Sequence, residues 1–374
     1  MAHRTSRRIP SALGPVPALA LASALILAGT ACGSDAVPGP QAGHGLTGAL
    51  RNVKNWKSSD WAAWAQQHAF TNQIAKDLWS PDALKAAAPS AAATPVPPVP
   101  TAGPSADDQN DPLPAAAPAL AEQHPYPGAL AVFGKIVAKS PQGTYVCSGT
   151  VVGDPEHPGK SNLVWTAGHC LHGGKGGGWL KNIAFMPAYN DSGAGSGGRS
   201  ATPAQVAPYG RWWANYATVA PQWMAEGSDD SAGAVNQDDS GIIRVTDPDL
   251  PGTSLEEAVG GSVPVWFNAP RAKIDAVTAY GFPAGPPFDG QELEHCTSPR
   301  PARLSFDPTR PAMLTIGCAM TGGASGGGWL ATGPDGRPAL VSNTSIGPTP
   351  ASWLAGPELD DQAAQMFAFM THLA

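Results

Sequence analysis

Thr321-Gly-Gly-Ala-Ser-Gly-Gly-Gly-Trp-Leu330, running on into Ala331-Thr-Gly-Pro-Asp-Gly-Arg-Pro-Ala-Leu-Val341, is the stretch on which the reading of this chain turns. Glycines stand on both sides of Ser325. Lacking a Cβ, they permit the positive-φ, tightly bent backbone that pushes a hydroxyl outward. They also leave neighbouring N–H groups unhindered, so that these can converge on a carbonyl oxygen and stabilise the charge that develops there. The residues after Ser325 read as a hairpin around Pro334-Asp-Gly336 and not as a helix. Glycine runs are often plain loop: the chain has 44 glycines, and Ser192–Gly198 reads that way. A serine at its free pKa is inert and needs a histidine base held by a carboxylate. The rest of the chain must supply them.

A histidine stands at the end of Asn162-Leu-Val-Trp-Thr-Ala-Gly-His-Cys170, an apolar strand pattern closing on His169 beside a cysteine. The strand fixes the backbone there. A Cys147–Cys170 bridge would tie it to the preceding strand, Thr144-Tyr-Val-Cys-Ser-Gly-Thr-Val-Val152, and hold the ring in place. A carboxylate is offered by Asn236-Gln-Asp-Asp-Ser-Gly-Ile-Ile-Arg-Val245, where either Asp238 or Asp239 could serve. His157, His172 and His295 have no carboxylate at metal-ligand spacing. No metal or other cofactor is expected.

Taken together, Cys147-Ser-Gly-Thr-Val-Val152, Trp165-Thr-Ala-Gly-His-Cys170 and Gly322-Gly-Ala-Ser-Gly-Gly327 resemble the chymotrypsin/trypsin clan of serine peptidases. The likeness is greatest to its bacterial glutamyl-endopeptidase-like branch. It covers residues 128–374 and says nothing of 1–127. The resemblance implies an all-β domain of two antiparallel six-stranded β-barrels with the site in the cleft between them. It implies His169 as general base, Ser325 as nucleophile and the N–H groups of Gly323 and Ser325 as the oxyanion hole. The clan's acid opens a strand as Asp-x-x-apolar-apolar-x-apolar, a register that Asp239 fits and Asp238 misses by one residue. Leu340-Val-Ser-Asn-Thr-Ser-Ile-Gly347 matches the strand beside the substrate, with Thr344, Ser345 and Gly347 at binding positions; Ser345 would bond the substrate backbone. Cys296 and Cys318 would bridge the pocket's outer loop. Two departures stand out. Glutamate-specific members carry a histidine where Thr344 stands, which puts glutamate specificity in doubt. Mammalian members carry an acid just before the nucleophile to pair with a freed N-terminus, and here that residue is Ala324.

Outside this region the chain divides by composition. Arg4, Arg7 and Arg8 precede the apolar Ala18–Ala28, which reads as an export signal over 1–31. Ala28-Gly-Thr-Ala-Cys32 is similar to a bacterial lipoprotein cleavage box, with Gly29 where Leu or Val is usual. Cys32 would then carry a lipid. It is the odd cysteine of five, the other four being expected to pair in an oxidising compartment. Residues 32–85 read as a pro-region or helical appendage, with Ser58-Ser-Asp60 capping a helix before Trp61 and Ser80-Pro81 opening another. Residues 86–127 are dominated by Ala and Pro and read as a semi-rigid linker. Residues 173–235 read as a turn-rich insert whose aromatics cover a barrel seam. A closing helix is expected over about 357–373, its apolar face being Leu359, Ala363, Met366, Phe367 and Met370.

The net charge is −7, and removing residues 1–31 with their three arginines makes it −10. An acidic chain without a basic stripe has no electrostatic footprint for nucleic acid. The expectation is a monomer acting on protein or peptide substrates, touching a membrane only through a lipid anchor. Two rivals differ in kind. Gly323-Ala-Ser-Gly-Gly327 also fits the Gly-x-Ser-x-Gly elbow of α/β-hydrolase esterases, but that fold runs serine, acid, histidine along the chain and opens a helix at the serine. Here the order is His169, Asp239, Ser325. The other rival is a peptidase-like domain that only binds, whose mark would be a missing member of the three.

Overall fold

The computed structural model describes residues 50, 53–89, 110–228 and 233–373. The expected export signal, Cys32 and the middle of the Ala/Pro stretch fall outside them. Among the described residues the chain is mostly antiparallel sheet, and six strands close into a barrel. These are β3 (Phe133–Ser140), β4 (Gly143–Val152), β5 (Leu163–Thr166), β6 (Lys181–Pro187), β7 (Trp212–Val219) and β8 (Gly241–Thr246). Their order is β4-β3-β6-β7-β8-β5, and β5 returns to β4 through Thr150 opposite Trp165. Closure leaves no open edge between these strands. Two of the six, β6 and β7, come from the stretch expected to be a turn-rich insert. Phe185, Trp212 and Trp213 are therefore barrel residues rather than a seam cover, and all three are buried. Their strands sit among glycine and proline turns and are buried on both faces over most of their length, which hides the period in the sequence.

The second barrel uses β9 (Ala276–Gly281), β10 (Glu294–Pro299), β12 (Met313–Gly317), β13 (Gly328–Thr332), β14 (Pro338–Asn343) and β15 (Trp353–Pro357). They form two sheets, β14-β13-β9-β10 and β12-β15, with β11 (Ala302–Leu304) beside β12. Side chains join the sheets at both edges. Ser298 Oγ accepts the Gly317 N–H at 3.2 Å, and Ser342 Oγ donates to the Pro357 carbonyl at 2.9 Å. Cys296 and Cys318 are disulfide-bonded across the first of these edges. The hairpin expected around Pro334-Asp-Gly336 joins β13 and β14. The closing helix runs over Asp361–Thr371, later than expected, because Asp360 caps it by accepting the N–H groups of Gln362 and Ala363. Pro357 ends β15 instead.

The barrels meet along a polar and aromatic seam. Phe133 stacks on Tyr280 with ring centroids 4.2 Å apart. Trp165 donates its indole N–H to Asn343 Oδ1 at 3.0 Å. Lys135 on β3 is 1% exposed; its ammonium donates to the Gly290 carbonyl at 2.6 Å and lies over the Tyr189 ring. Burial pulls its pKa down to about 7, against the opposing pull of Asp289.

Residues 53–89 pack on the first barrel. The helix Ser58–Gln67 starts at Ser58, earlier than a cap at residues 58–60 would allow, because Asp60 turns back to accept the Lys57 N–H at 2.7 Å. Trp61 and Trp79 are each 1% exposed. Trp61 stacks with Phe369 of the closing helix, and the Trp79 indole donates to the Asn182 carbonyl. Ser80 caps the short helix Pro81–Lys85 as expected. β1 (Ala88–Pro89) runs parallel to β4. Further on, β2 (Leu120–Ala121) adds to the edge of β10, and Asn110 and Asp111 bond to β11 and the turn after it. The most telling contact is Asn72. Strands β6 and β7 pair only at Ala184–Trp213 and Phe185–Trp212. Where they part, the Asn72 amide donates to the carbonyls of Ile183 and Ala214 and accepts the Ile183 N–H.

This packing has two measurable consequences. Asn72→Ala leaves three barrel backbone groups without these bonds and should lower stability by about 2 kcal/mol, read as a lower urea midpoint at unchanged slope. For Lys135 the unfolded chain holds a proton between pH 7 and 10.5 that the folded chain has released. Its contribution to stability therefore rises with pH across that window and is least favourable below pH 7. Lys135→Met should remove this dependence, so that the wild-type-minus-variant difference in unfolding free energy changes by up to about 1.4 kcal/mol per pH unit.

Candidate active site

His169 sits in the single turn Gly168–Cys170 that comes after β5. The Cys147–Cys170 bridge pins that turn to β4. The residue before it must be small, since a Cβ at Gly168 would meet Asp239 Oδ1 and Trp223 Cγ at 3.1 Å. His169 Nδ1 lies 2.7 Å from Asp239 Oδ2, and the His169 backbone N–H donates to Asp239 Oδ1 at 2.9 Å. Asp239 is 0% exposed and stands just before β8. Its Oδ2 also accepts the Ser345 hydroxyl at 2.6 Å. Three donors thus hold one carboxylate, and they leave the imidazole one orientation.

Asp238 faces elsewhere. It pairs with Arg310, which also reaches Glu226 and Asp307. Burial raises its pKa to about 6, only partly offset by Arg310. The two neighbouring acids therefore have separate partners, and His169 is on Asp239.

Ser325 stands in a turn fixed by its glycines. Gly323 has φ 101°, and a Cβ there would meet Ala284 N and Phe282 O at 2.7 Å. Gly326 has φ 78°, and its Cβ would fall 2.0 Å from Thr166 Oγ1. The turn is bonded to strand β4 of the other barrel: the Ser325 carbonyl accepts the Ser148 N–H at 2.7 Å, and Ser148 Oγ donates to the Gly323 carbonyl at 2.9 Å. Cys170 Sγ, next in sequence to His169, lies 3.7 Å from the Ser325 carbonyl oxygen. Within the turn Ala324, Gly326 and Gly327 donate their N–H groups to Thr321, Thr344 and Ala324. Among the described residues the N–H groups of Gly323 and Ser325 donate to nothing. Two unused donors beside a serine are what a developing oxyanion requires.

The stretch after β14 carries the remaining expected residues. Ser345 bonds Asp239, a partner that the sequence did not reveal. Thr344 is buried, and its hydroxyl accepts the Trp329 indole N–H at 2.9 Å. At Gly347 a Cβ would meet Leu354 Cδ2 and the Trp353 carbonyl at 2.9 Å, so close approach of β15 requires the glycine. Sequence reading also missed Ser148, which latches the turn, and Trp223, whose ring centroid is 6.0 Å from that of His169. The Ser of Cys-Ser-Gly was the available signal for the first. His169 also lies close to Cys147 and Cys170, but those sulfurs are in the disulfide and offer no thiolate to a metal.

A closed six-stranded antiparallel barrel beside a second barrel built of two sheets, with this site between them, defines a chymotrypsin-like serine protease fold. No protein-family model matches the chain, and no curated protein does. Solved structures do. The thermostable serine protease AL20 from an extremophilic microorganism is 30% identical, with a TM-score of 0.52 over 66% of this chain and 100% of that one. The protease Anisep from Arthrobacter nicotinovorans is 29% identical, with a TM-score of 0.52 over 68% of this chain and 100% of that one. The chain belongs to the chymotrypsin-like serine protease family.

Proposed function

We propose that the protein is a serine endopeptidase that cleaves peptide bonds through His169, Asp239 and Ser325. The observation that carries this reading is the buried Asp239–His169 pair beside a Ser325 turn with two unused N–H donors. Ser325 attacks the peptide carbonyl while His169 Nε2 takes its proton; Asp239 holds the Nδ1–H tautomer and stabilises the imidazolium. Gly323 and Ser325 N–H groups receive the oxyanion, each donor being worth about 3 kcal/mol in the transition state. His169 then returns the proton to the leaving amine, and water releases the acyl group by the same steps in reverse. The strand that comes after Ser325, β13, argues against an esterase elbow, which opens a helix.

On substrate choice, the Thr344 hydroxyl is engaged by Trp329, which argues against the glutamate specificity of the branch the sequence resembles. Ala324 is buried and carries no charge, so activation by a freed N-terminus pairing at that position is not part of the proposal. The segment 53–89 acts instead as a support for the first barrel, through Asn72 and the buried Trp79. Export is proposed on the two disulfides, which suit an oxidising compartment, and lipid attachment on the sequence around Cys32.

A fluorophosphonate should label Ser325 in the wild type and leave Ser325→Ala unmarked, with the variant folded and inactive. A folded wild type that takes no label would point to a binding module and end the peptidase reading. Asp239→Asn should lower kcat about 10⁴-fold by presenting the wrong His169 tautomer. Asp238→Asn should stay within about tenfold of wild type, since its partner is Arg310. Equal losses in the two variants would overturn the assignment.

A further inference from the structure

The loop between β9 and β10 flanks the Ser325 turn. Ala284 and Gly285 donate their N–H groups to the Gly322 carbonyl at 2.7 and 3.1 Å, and Thr321 Oγ1 donates to the Gly285 carbonyl at 2.7 Å. On the opposite side of the turn, Gly326 N–H donates to the Thr344 carbonyl, where the Thr344–Gly347 stretch begins. In the proposed reaction the acyl half of the substrate lies along that stretch. The leaving half then runs out past residues 283–290. There Pro283, Phe288, Asp289, Glu292 and Glu294 line a cavity of about 270 Å³.

Its charge is one-sided. Glu292 pairs with the His124 ring, and Asp289 accepts the Gln291 N–H while remaining exposed. Glu294 is different: it is 6% exposed, and among the described residues its carboxylate has no hydrogen-bond or ion-pair partner. Burial, then the charges of Glu292, Asp289 and Glu122, push its pKa up to about 7. His295 is taken by Glu122. The ammonium of Lys135 is bonded to the Gly290 carbonyl, and burial holds it to at most part of a charge near neutral pH. A buried carboxylate facing a cavity among like charges is unfavourable until a cation joins it.

We propose that this cavity is a subsite for a lysine or arginine side chain lying a few residues downstream of the scissile bond, with Glu294 and Asp289 as its recognition residues. The inference rests on the endopeptidase reading above. A long basic side chain suits the walls, since Pro287 and Phe288 can cover its methylenes while its head reaches the carboxylates. A preformed metal site does not fit: among the described residues the only three potential ligands within 4.8 Å of one another are Cys147, His169 and Cys170.

The test uses internally quenched peptides with a fixed acyl side and Arg, Lys, Ala or Glu at each of the first three downstream positions. At one of these positions kcat/KM for Arg or Lys should exceed that for Ala by about tenfold, the worth of one partly desolvated ion pair. Glu should fall below Ala. The Arg-to-Ala ratio should drop toward one in Glu294→Gln and decline with added NaCl in the wild type. Asp289 is exposed, so Asp289→Asn gives a second variant should Glu294→Gln not fold. A ratio near one at all three positions in an enzyme that cleaves these peptides would overturn the subsite alone. Failure to cleave any peptide, with no label on Ser325, would overturn the endopeptidase reading and the subsite with it. Calcium alone raising the Tm of wild type but not of Glu294→Gln, without a basic preference, would reassign the cavity to a metal ion.

Discussion

A single carboxylate, that of Asp239, ties the molecule together. It is fully buried, and an ionised group in such a place persists only when donors replace the water it has lost. Two donors are the ring and backbone of His169, which comes after the first barrel's β5; the third is Ser345, which comes after the second barrel's β14. Neither barrel alone supplies the set. The geometry of the imidazole is therefore a property of the docked pair, and anything that shifts one barrel against the other disturbs it first.

The same dependence recurs around Ser325. Its turn belongs to the second barrel, yet Ser148 of the first barrel grips it through backbone and hydroxyl. Trp165 and Asn343 make a parallel link a short way off, and Asn343 also bonds the Asp239 carbonyl. The seam is polar around Asp239 and the Ser325 turn and aromatic where Phe133 meets Tyr280. The N-terminal segment contributes from the outside. By inserting its amide between β6 and β7, Asn72 completes a ladder that the barrel strands leave unfinished. A segment that reads by composition as an appendage is thus part of what keeps the first barrel closed.

Much of this was legible along the chain, and the reason is local chemistry. A serine among glycines, a histidine at a strand end beside a cysteine and a hairpin after the serine are patterns of neighbouring residues. So is the apolar face of the closing helix, although its start was set by Asp360, a capping bond that periodicity does not see. Strands β6 and β7 were hidden because each is embedded among turns and buried on both faces over most of its length, which leaves no alternation to read.

Other features had no local signature. The register of Ile242, Ile243 and Val245 pointed to Asp239 over Asp238, but that its carboxylate reaches a ring 70 positions away was decided by packing. The bond from Ser345 spans 106 positions, and Arg310 claims Asp238 from a separate loop. Glu294 is isolated because Asp289 and Glu292 of its own loop and the distant Glu122 surround it, while His295 and His124 are paired with other acids. Residue order specified the chemical groups and the backbone bends that present them. Their partners were assigned by folding, because hydrogen bonds and buried charges are settled between side chains that approach one another only once both barrels have formed and docked.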